Sequence, residues 1–592
     1  MATPVMAAPE DTAAGDEQAG GEERWRELAV RVLRKSGGAG ADPDALLARL
    51  ATTTYDGVRV APLYRDAEGL PPTGLPGQHP FTRGGRPPGS GRWDVRARHD
   101  DPDLDATRDA IREDLAGGAT SLWLVLGESG IPVDALPELL AAVPLDRIPV
   151  VLDAGAATPR ALRSDLAAGS SLGADPLGVL ARTGTLPPLD EAAELAARCA
   201  PRPGVRAITV DATPYHDAGG SDAEELGCAL ATGVAYLRVL DAHGLDTAAA
   251  LSQLEFRYAV SADQFLAVAK LRAARRCWAR IAEVYGAPPA ARAQRQHAVT
   301  SSAMVTTRDP WVNALRGILA AFGAGVGGAE AVTVQPYDAA LGLPDPLARR
   351  IARTTQLVLL DEAQAGRVAD PAGGSWYVEH LTEELARAAW AWFREIERAG
   401  GIPAALHSGF IADRVAATWS VRASNIAHRH DPITGVSEYP DLAEPALARR
   451  PRSKQTSGGL PRVRYAEGFE TLRDRADAHP ARPTVFLATI GPASAYAART
   501  AFAANLFAAG GIATVIGAPS EFAASGARVA CLCGSDDGYA EHATAAAKEL
   551  VGAVRVWLAG RPAGHLGADA YLYAGCDAAG VLETTLDDLG VA

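Results

Sequence analysis

From about Asp103 onward, short apolar runs alternate with longer stretches of helical period. The clearest runs are Leu122-Trp-Leu-Val-Leu126, Val150-Val-Leu-Asp153 and Ala207-Ile-Thr-Val-Asp211. Each ends at small or acidic residues and leads towards a helix, the pattern of parallel strands buried on both faces. With Leu254-Glu-Phe-Arg-Tyr258 and the helical stretches after it, the series predicts a closed (β/α)8 TIM barrel of roughly 350 residues or more. We place it over residues 101–432.

After Pro432 the pattern breaks. Pro440, Pro445, Pro451, Ser457, Gly458, Gly459 and Pro461 mark a linker over 433–482 that holds one short helix around Phe469 to Ala476. Over 483–592, Val485-Phe-Leu, Ala513-Thr-Val-Ile516, Val529-Ala-Cys-Leu, Val554-Arg-Val-Trp-Leu558 and Tyr571-Leu-Tyr573 alternate with alanine-rich helices. Five strands in a βαβ series predict a flavodoxin-like doubly wound domain.

The N-terminal region has a different texture. Residues 1–23 are rich in Ala, Gly, Asp and Glu without periodicity and read as a disordered tail. Trp25, Leu28, Ala29, Val32 and Leu33 then recur at helical spacing, with Arg24, Arg26, Glu27, Arg31 and Arg34 on the other faces. This helix opens an arm over 24–100 that leads into the barrel. Its pattern fits capping its own domain and clamping a partner equally well.

Composition narrows the function classes. The 592 residues exceed one core and predict several domains, and 48% apolar with 22% charged residues is ordinary for a soluble globular protein. A net charge of −14 argues against a nucleic-acid surface, which needs a basic stripe. The N-terminus has neither a basic nor an apolar leader segment, and no run approaches the ~20 apolar residues of a membrane span. A cytoplasmic location is the expectation. Six irregularly spaced cysteines are not a disulfide framework. Cys531 and Cys533 would point to one face of a strand, as two small buried thiols.

The loop after Thr484-Val-Phe-Leu-Ala-Thr489-Ile490 stands where a doubly wound sheet docks its ligand. It reads Gly491-Pro-Ala-Ser-Ala-Tyr-Ala-Ala498, with no His, Asp, Glu, Lys or Arg between Thr489 and Arg499. The scaffold is kept and the polar equipment is missing. His428-Arg-His430-Asp431 has the look of a metal pair but sits at a helix-to-linker transition, where a solvated loop is the simpler reading. Asp153 and Asp211 end barrel strands, where catalytic groups lie in such folds; capping the next helix or satisfying loop amides accounts for them as well.

Two central segments resemble a known family closely. Leu347-Ala-Arg-Arg-Ile-Ala-Arg-Thr-Thr-Gln-Leu357 and Val368-Ala-Asp-Pro-Ala-Gly-Gly-Ser-Trp-Tyr-Val-Glu379 are similar to the methylmalonyl-CoA mutases, adenosylcobalamin-dependent carbon-skeleton isomerases. Leu271-Arg-Ala-Ala-Arg275 with Trp278, Pro80-Phe-Thr-Arg-Gly84 and Leu226 to Gly233 support the match, which covers nearly the whole chain after the tail. The resemblance implies a barrel that threads a CoA ester along its axis and a C-terminal domain that holds the corrin. There a His of an Asp-x-His-x-x-Gly motif binds cobalt, oriented by the motif's Asp with a Lys close by. Laid onto this chain, the Lys position falls at Thr489, the Asp at Ala493, the His at Ala495 and the Gly at Ala498. The Ser-x-Leu stretch of the nucleotide-tail groove reads Cys531-Leu-Cys533-Gly534.

The barrel departs from the family in the same way. Its Trp-Thr-Ile-Arg-Gln-Tyr strand appears as Trp93-Asp-Val-Arg-Ala-Arg98, with Arg98 at the tyrosine position. Its CoA-contacting Arg-Leu-Ser appears as Gln253-Leu-Glu255, a carboxylate where CoA phosphates would be repelled. The Gly-Tyr-His-Met-Gln-Glu-Ala-Gly segment corresponds to Ala212-Thr-Pro-Tyr-His-Asp-Ala-Gly219. Without a gap the catalytic Tyr and His fall on Thr213 and Pro214; with a two-residue deletion they fall on Tyr215 and His216. The segment to Gly233 runs without insertion, which favours the ungapped register. The family's substrate-carboxylate Arg corresponds to Arg182, at a different spacing to Pro187.

Some bacterial mutases of this family pair a catalytic large subunit with a homologous small subunit that has lost these residues, and the chain resembles that small subunit. The resemblance implies a heterodimer in which the partner binds adenosylcobalamin, this chain binds no cofactor or metal, and acyl-CoA is met only through the complex. Two alternatives stay open: an autonomous acyl-CoA isomerase using Arg182, Tyr215 and His216 as residual substrate contacts, and a transient non-catalytic regulator of the mutase.

Overall fold

The computed structural model describes residues 12–35, 42–66, 69–87, 91–127, 130–154, 166–453, 458–562 and 567–591. The first helix, Thr12–Lys35, begins inside the stretch read as a disordered tail; Ala, Glu and Gln are good helix formers even without an apolar stripe. Residues 1–11 lie outside the described residues. Among the described side chains of this helix Val30 is the buried one, and Trp25, Ala29 and Leu33 lean with it on Leu46 and Leu47 of the Pro43–Ala48 helix. Leu28 and Val32 stay exposed, so the expected stripe is split between a small satellite core and solvent. A two-stranded antiparallel ladder of β1 (Thr52–Thr53) and β2 (Arg59–Val60) completes the arm.

The barrel is closed by eight parallel strands. They are β3 (Asp94–His99), β4 (Ser121–Val125), β5 (Val150–Asp153), β6 (Ser171–Ala174), β7 (Arg206–Asp211), β8 (Leu254–Val260), β9 (Gln296–Thr300) and β10 (Ala331–Thr333). The ring closes where β10 pairs with β3. The barrel therefore opens at Asp94, inside the stretch assigned to the arm. In β3 the charged Asp94, Arg96 and Arg98 alternate with Val95 and Ala97, so no apolar run announces the strand. The outward residues Val95, Leu122, Leu124, Phe256 and Tyr258 join one continuous core with the surrounding helices. Gly173 in β6 has φ +66, and a Cβ there would stand 1.6 Å from the Leu152 carbonyl oxygen; only glycine lets β6 approach β5 at this irregular pairing.

The long helices Asp222–Ala242, Gln264–Val284 and Trp376–Arg398 pack together outside the barrel. Arg272, fully buried between them, donates to Asp370 and to Glu379 Oε2 at 2.6 Å. Asp370 also accepts from Arg83 Nε at 2.9 Å, so the Asp370 motif braces the arm against the barrel's outer layer.

The C-terminal sheet is parallel in the order β12-β11-β13-β14-β15, with β11 (Thr484–Thr489), β12 (Ala513–Gly517), β13 (Val529–Cys533), β14 (Arg555–Ala559) and β15 (Ala570–Leu572). This is the expected flavodoxin-like order. The described residues of the linker are tied to the barrel. Leu460 N donates to Ala181 O at 2.7 Å, Val463 N to Asp217 O at 2.8 Å and Tyr465 N to Ala303 O at 2.8 Å, while Leu343 N donates to Arg450 O at 2.8 Å. Those partners lie in segments that follow β6, β7, β9 and β10, so the linker is strapped across the barrel's C-terminal mouth.

Candidate functional site

A TIM barrel places its chemistry at the C-terminal ends of its strands and inside the ring. Here the inward positions of β3 and β8 carry long charged side chains that meet across the axis. At the lower level Arg96 of β3 donates through Nη1 to Glu255 Oε1 of β8 at 2.6 Å, and through Nε to Ser121 Oγ at 3.1 Å. Arg295 Nε takes the other Glu255 oxygen at 2.9 Å. Burial alone would raise the Glu255 carboxyl, but Arg96 and Arg295 outweigh it and hold the group well below the usual range. Glu255 is thus a fully buried, doubly paired anion. Sequence reasoning cast it as a free charge repelling CoA phosphates; both its oxygens are already engaged, and what a ligand would meet is an occupied axis.

One level higher, Arg257 of β8 spans the ring. Its Nη1 donates to Asp153 Oδ2 of β5 at 3.0 Å and to Asp211 Oδ2 of β7 at 3.1 Å. Its guanidinium lies 4.1 Å from the ring centroid of Trp123 on β4, the strand directly opposite β8 in a ring of eight. Arg257 Nε reaches His297 Nδ1 at 3.4 Å, and His297 Nε2 stands 2.8 Å from Thr333 Oγ1. Burial, with Arg96 and Arg257 close by, keeps this imidazole neutral. An acceptor Nδ1 leaves the proton on Nε2, facing the threonine. Arg98 covers the Trp123 ring at 5.1 Å and pairs with Asp100 at 2.9 Å.

The three residues proposed from sequence separate into two places. Arg182, on the Pro176–Thr183 helix, joins the ionic chain by donating from Nη1 to Asp211 Oδ2 at 2.9 Å. Close by, Asp175 accepts from Gly178 N at 3.0 Å and from the Tyr236 hydroxyl at 2.7 Å. Burial, with Asp211 adding repulsion, pushes its carboxyl up to about 7. Tyr215 and His216 lie on the short Thr213–Asp217 helix and are both buried. Burial holds the Tyr215 phenol well above its ordinary pKa. His216 Nε2 meets Ser301 Oγ at 2.6 Å, and its Nδ1 stands 3.5 Å from Glu225 Oε2. Burial and the nearby Lys270 lower its pKa to about 3, so it is neutral. Lys270 itself stays charged against Asp222 at 2.8 Å and Glu225 at 2.5 Å. Thr213, the position favoured by the ungapped register, spends its hydroxyl on Asp211 Oδ1 at 2.7 Å.

In the C-terminal domain the helix after β11 begins at Ala493. Ala493, Ala495 and Ala498 therefore lie in its first turns, and Thr489 Oγ1 donates to Gly517 O at 3.1 Å. The crevice between the ends of β11 and β13, where such a sheet would bind, is filled. Gly534 has Ile490 and Tyr539 so close that a Cβ would stand 3.1 and 3.2 Å from their side chains. The Tyr539 hydroxyl accepts from Gly534 N at 2.8 Å and donates to Ala559 O at 2.9 Å. A corrin with its nucleotide tail does not fit these residues: the loop offers no axial nitrogen and the groove holds a phenol ring. Cys531 and Cys533 are fully buried with their sulfurs 4.0 Å apart. Among the described residues no three His, Cys, Asp or Glu side chains gather as a metal site, and no helix is long and apolar enough to cross a membrane. His428 follows the Phe410–Ala427 helix, and Asp431 accepts from the Tyr55 hydroxyl.

Sequence reasoning missed Arg257, Arg96, Trp123 and His297. A readable signal existed: Asp94, Arg96 and Arg98 on one strand and Glu255 and Arg257 on another alternate with apolar residues, so their charges share the inner face.

Comparison with known proteins follows the same outline. The methylmalonyl-CoA mutase family model matches residues 125–479. The chain is 54% identical to the methylmalonyl-CoA mutase small subunit of Streptomyces virginiae over 96% of this chain and 97% of that one. It is 40% identical to the methylmalonyl-CoA mutase small subunit of Propionibacterium freudenreichii subsp. shermanii over 98% and 96%. Against the methylmalonyl-CoA mutase of Cereibacter sphaeroides it is 31% identical over 70% of this chain and 64% of that one.

Proposed function

Because the chain belongs to the methylmalonyl-CoA mutase family, we propose that it is the small, non-catalytic subunit of a heterodimeric, adenosylcobalamin-dependent mutase interconverting methylmalonyl-CoA and succinyl-CoA. The observation that carries this reading is the barrel axis. Arg257 joins β8 to β5, β7 and the indole on β4, and Arg96 and Arg295 close over Glu255 below it. A CoA ester threaded along such an axis would have to separate buried ion pairs, each leaving an unpaired charge at a cost of about 3–5 kcal/mol. That exceeds what a pantetheine arm recovers from a few new contacts.

The C-terminal domain supports the same reading, since the corrin and its tail find neither a ligand nor a groove there. What the chain retains is a complete fold with a large outer surface, suited to stabilising a homologous catalytic partner that carries cofactor and substrate in the cytoplasm. Adenosylcobalamin in the holoenzyme belongs to that partner.

The test is to purify this chain, its large homologue from the same organism, and the two coexpressed. Corrin is read by ultraviolet-visible spectra and mass by size exclusion with light scattering. The reading expects no corrin on this chain alone, a one-to-one complex with a corrin-loaded partner, and mutase turnover only where the partner is present. Stoichiometric corrin or turnover with this chain alone would instead establish an autonomous isomerase. A complex that falls apart on dilution into the nanomolar range would make the chain a transient regulator.

A further inference from the structure

The barrel helix Pro310–Val326 is apolar on both sides. Its inner side is made of small residues, Gly317, Ala320, Ala321 and Ala324, which let it sit close on the strands. Its outer side carries Trp311, Leu315, Ile318 and Leu319, spaced as one helical stripe, and all four are exposed, Leu315 at 60%. A helix that is apolar all round belongs in an interior. Next to it, the Pro346–Leu357 helix and the turn after it add exposed Leu347 and Val358. Ile318, Leu347, Ile351 and Val358 line a cavity of about 500 Å³ between the two elements, with Arg350 among its walls.

We propose that this face is the docking surface for the homologous large subunit, which seats an apolar side chain in the cavity and a carboxylate on Arg350. The inference rests on the reading of the chain as a small subunit. Size favours a stable partner. The longer helix spans about 25 Å and two packed helices lie about 10 Å apart. The face thus covers roughly 500 Å², enough to form the apolar centre of an interface of the roughly 800 Å² per partner that a lasting contact needs.

Charge favours a different chain over a second copy. The two helices carry Arg316, Arg349, Arg350 and Arg353 and no carboxylate, on a chain whose net charge is −14. Arg349 and Arg353 are paired with Glu113 and Asp114 of the neighbouring Leu104–Ala116 helix. Arg316 is spent on the Asn313 side chain and the Thr434 carbonyl. Arg350 is exposed and has no carboxylate partner among the described residues, while Glu362 follows one turn past Val358. A twofold contact of this face with itself would bring like charges together around the axis; a homologous partner with acids at the matching positions would complement it.

The experiment coexpresses the large subunit with wild-type chain, with the L315D/I318D double variant, with R350E, and with V284D as a control at an exposed apolar position on another helix. Complex mass and dissociation constants are measured, and each isolated chain is melted by circular dichroism. The proposal expects unchanged melting, binding weakened about 100-fold or more by L315D/I318D, weakened about tenfold by R350E with a smaller salt dependence, and unaffected by V284D. Wild-type binding by a folded L315D/I318D variant overturns this surface while leaving the small-subunit reading intact. Absence of any complex with wild-type chain overturns both. An isolated chain that dimerises through this face, with large-subunit binding unaffected by the substitutions, assigns the surface to a second copy and refutes the proposal.

Discussion

Replacing Arg257 by methionine removes the residue that ties the barrel interior together while keeping much of its apolar stem volume. The wild-type guanidinium serves Asp153 at 3.0 Å and Asp211 at 3.1 Å, and stacks on Trp123 at 4.1 Å. Breaking a buried ion pair costs about 3–5 kcal/mol, because the abandoned carboxylate stays in a poor solvent. Two features pull the figure towards the lower end. Asp211 keeps Arg182 at 2.9 Å, and the Asp153 side chain is 21% exposed and open to hydration. We therefore expect a loss of about 3 kcal/mol, which for a domain of this size lowers Tm by about 6 °C. Urea unfolding followed by circular dichroism measures it. A cycle with Asp153→Asn isolates the pair, with an expected coupling of about 1–2 kcal/mol, and the double variant should recover part of the loss because no charge is stranded. If Arg257→Met costs under about 1 kcal/mol and shows no coupling, the interior is not held by this ionic chain and the argument from the filled axis fails.

Other expectations concern separate parts of the molecule. Asp175 has a folded-state pKa raised to about 7, so between about pH 4 and 7 the native state holds a proton that the unfolded chain, with an Asp pKa of about 3.9, releases. Its contribution to stability is therefore greatest below that window and declines as pH rises through it; Asp175→Asn should flatten this slope in urea titrations, and an unchanged slope would contradict the assignment. Tyr539→Phe removes the hydroxyl that serves Gly534 N and Ala559 O and should cost about 1–3 kcal/mol, seen in thermal melts, without creating corrin binding by spectral titration. Asp370→Asn weakens the grip of Arg272 and Arg83; limited proteolysis should then cut the arm between residues 61 and 92 at least several-fold faster, whereas an unchanged cleavage rate would mean that the arm is held elsewhere.

How far the sequence disclosed this arrangement depends on which face of a strand carried the signal. The runs at Leu122, Val150 and Ala207 were legible because large aliphatics face the helices, and the central strands of the C-terminal domain were found for the same reason, whereas the edge strand Ala513–Gly517 was found as an apolar run although its Val515 and Ile516 are exposed. Strands β3, β6, β9 and β10 were not found as apolar runs. Ser171–Ala174 and Ala331–Thr333 are too short to make an apolar run, and Asp94–His99 and Gln296–Thr300 break theirs with charged or polar residues such as Arg96, Gln296 and His297. In the site, the alanine-rich loop at Thr489 to Ala498 was readable because a missing side chain is visible locally. The ionic plug was not, although Asp153 and Asp211 had been noticed one at a time. Their partner Arg257 lies 104 and 46 residues away along the chain, and local periodicity says nothing about which charges a closed ring will bring face to face. Leu28 and Val32 show a similar limit: the helical period was right, but which part of the stripe would be covered depended on the Pro43–Ala48 helix.

The ion pairs across the barrel axis also act as a ratchet. An open channel in this barrel would require Arg96, Arg257, Asp153, Asp211 and Glu255 to shrink or leave together, because a single change leaves the remaining members of the chain in place across the axis. Every single-residue step towards a vacant axis is a step down in stability with no ligand yet able to enter. Sequence drift can therefore remodel the outer helices of this chain while its interior stays locked.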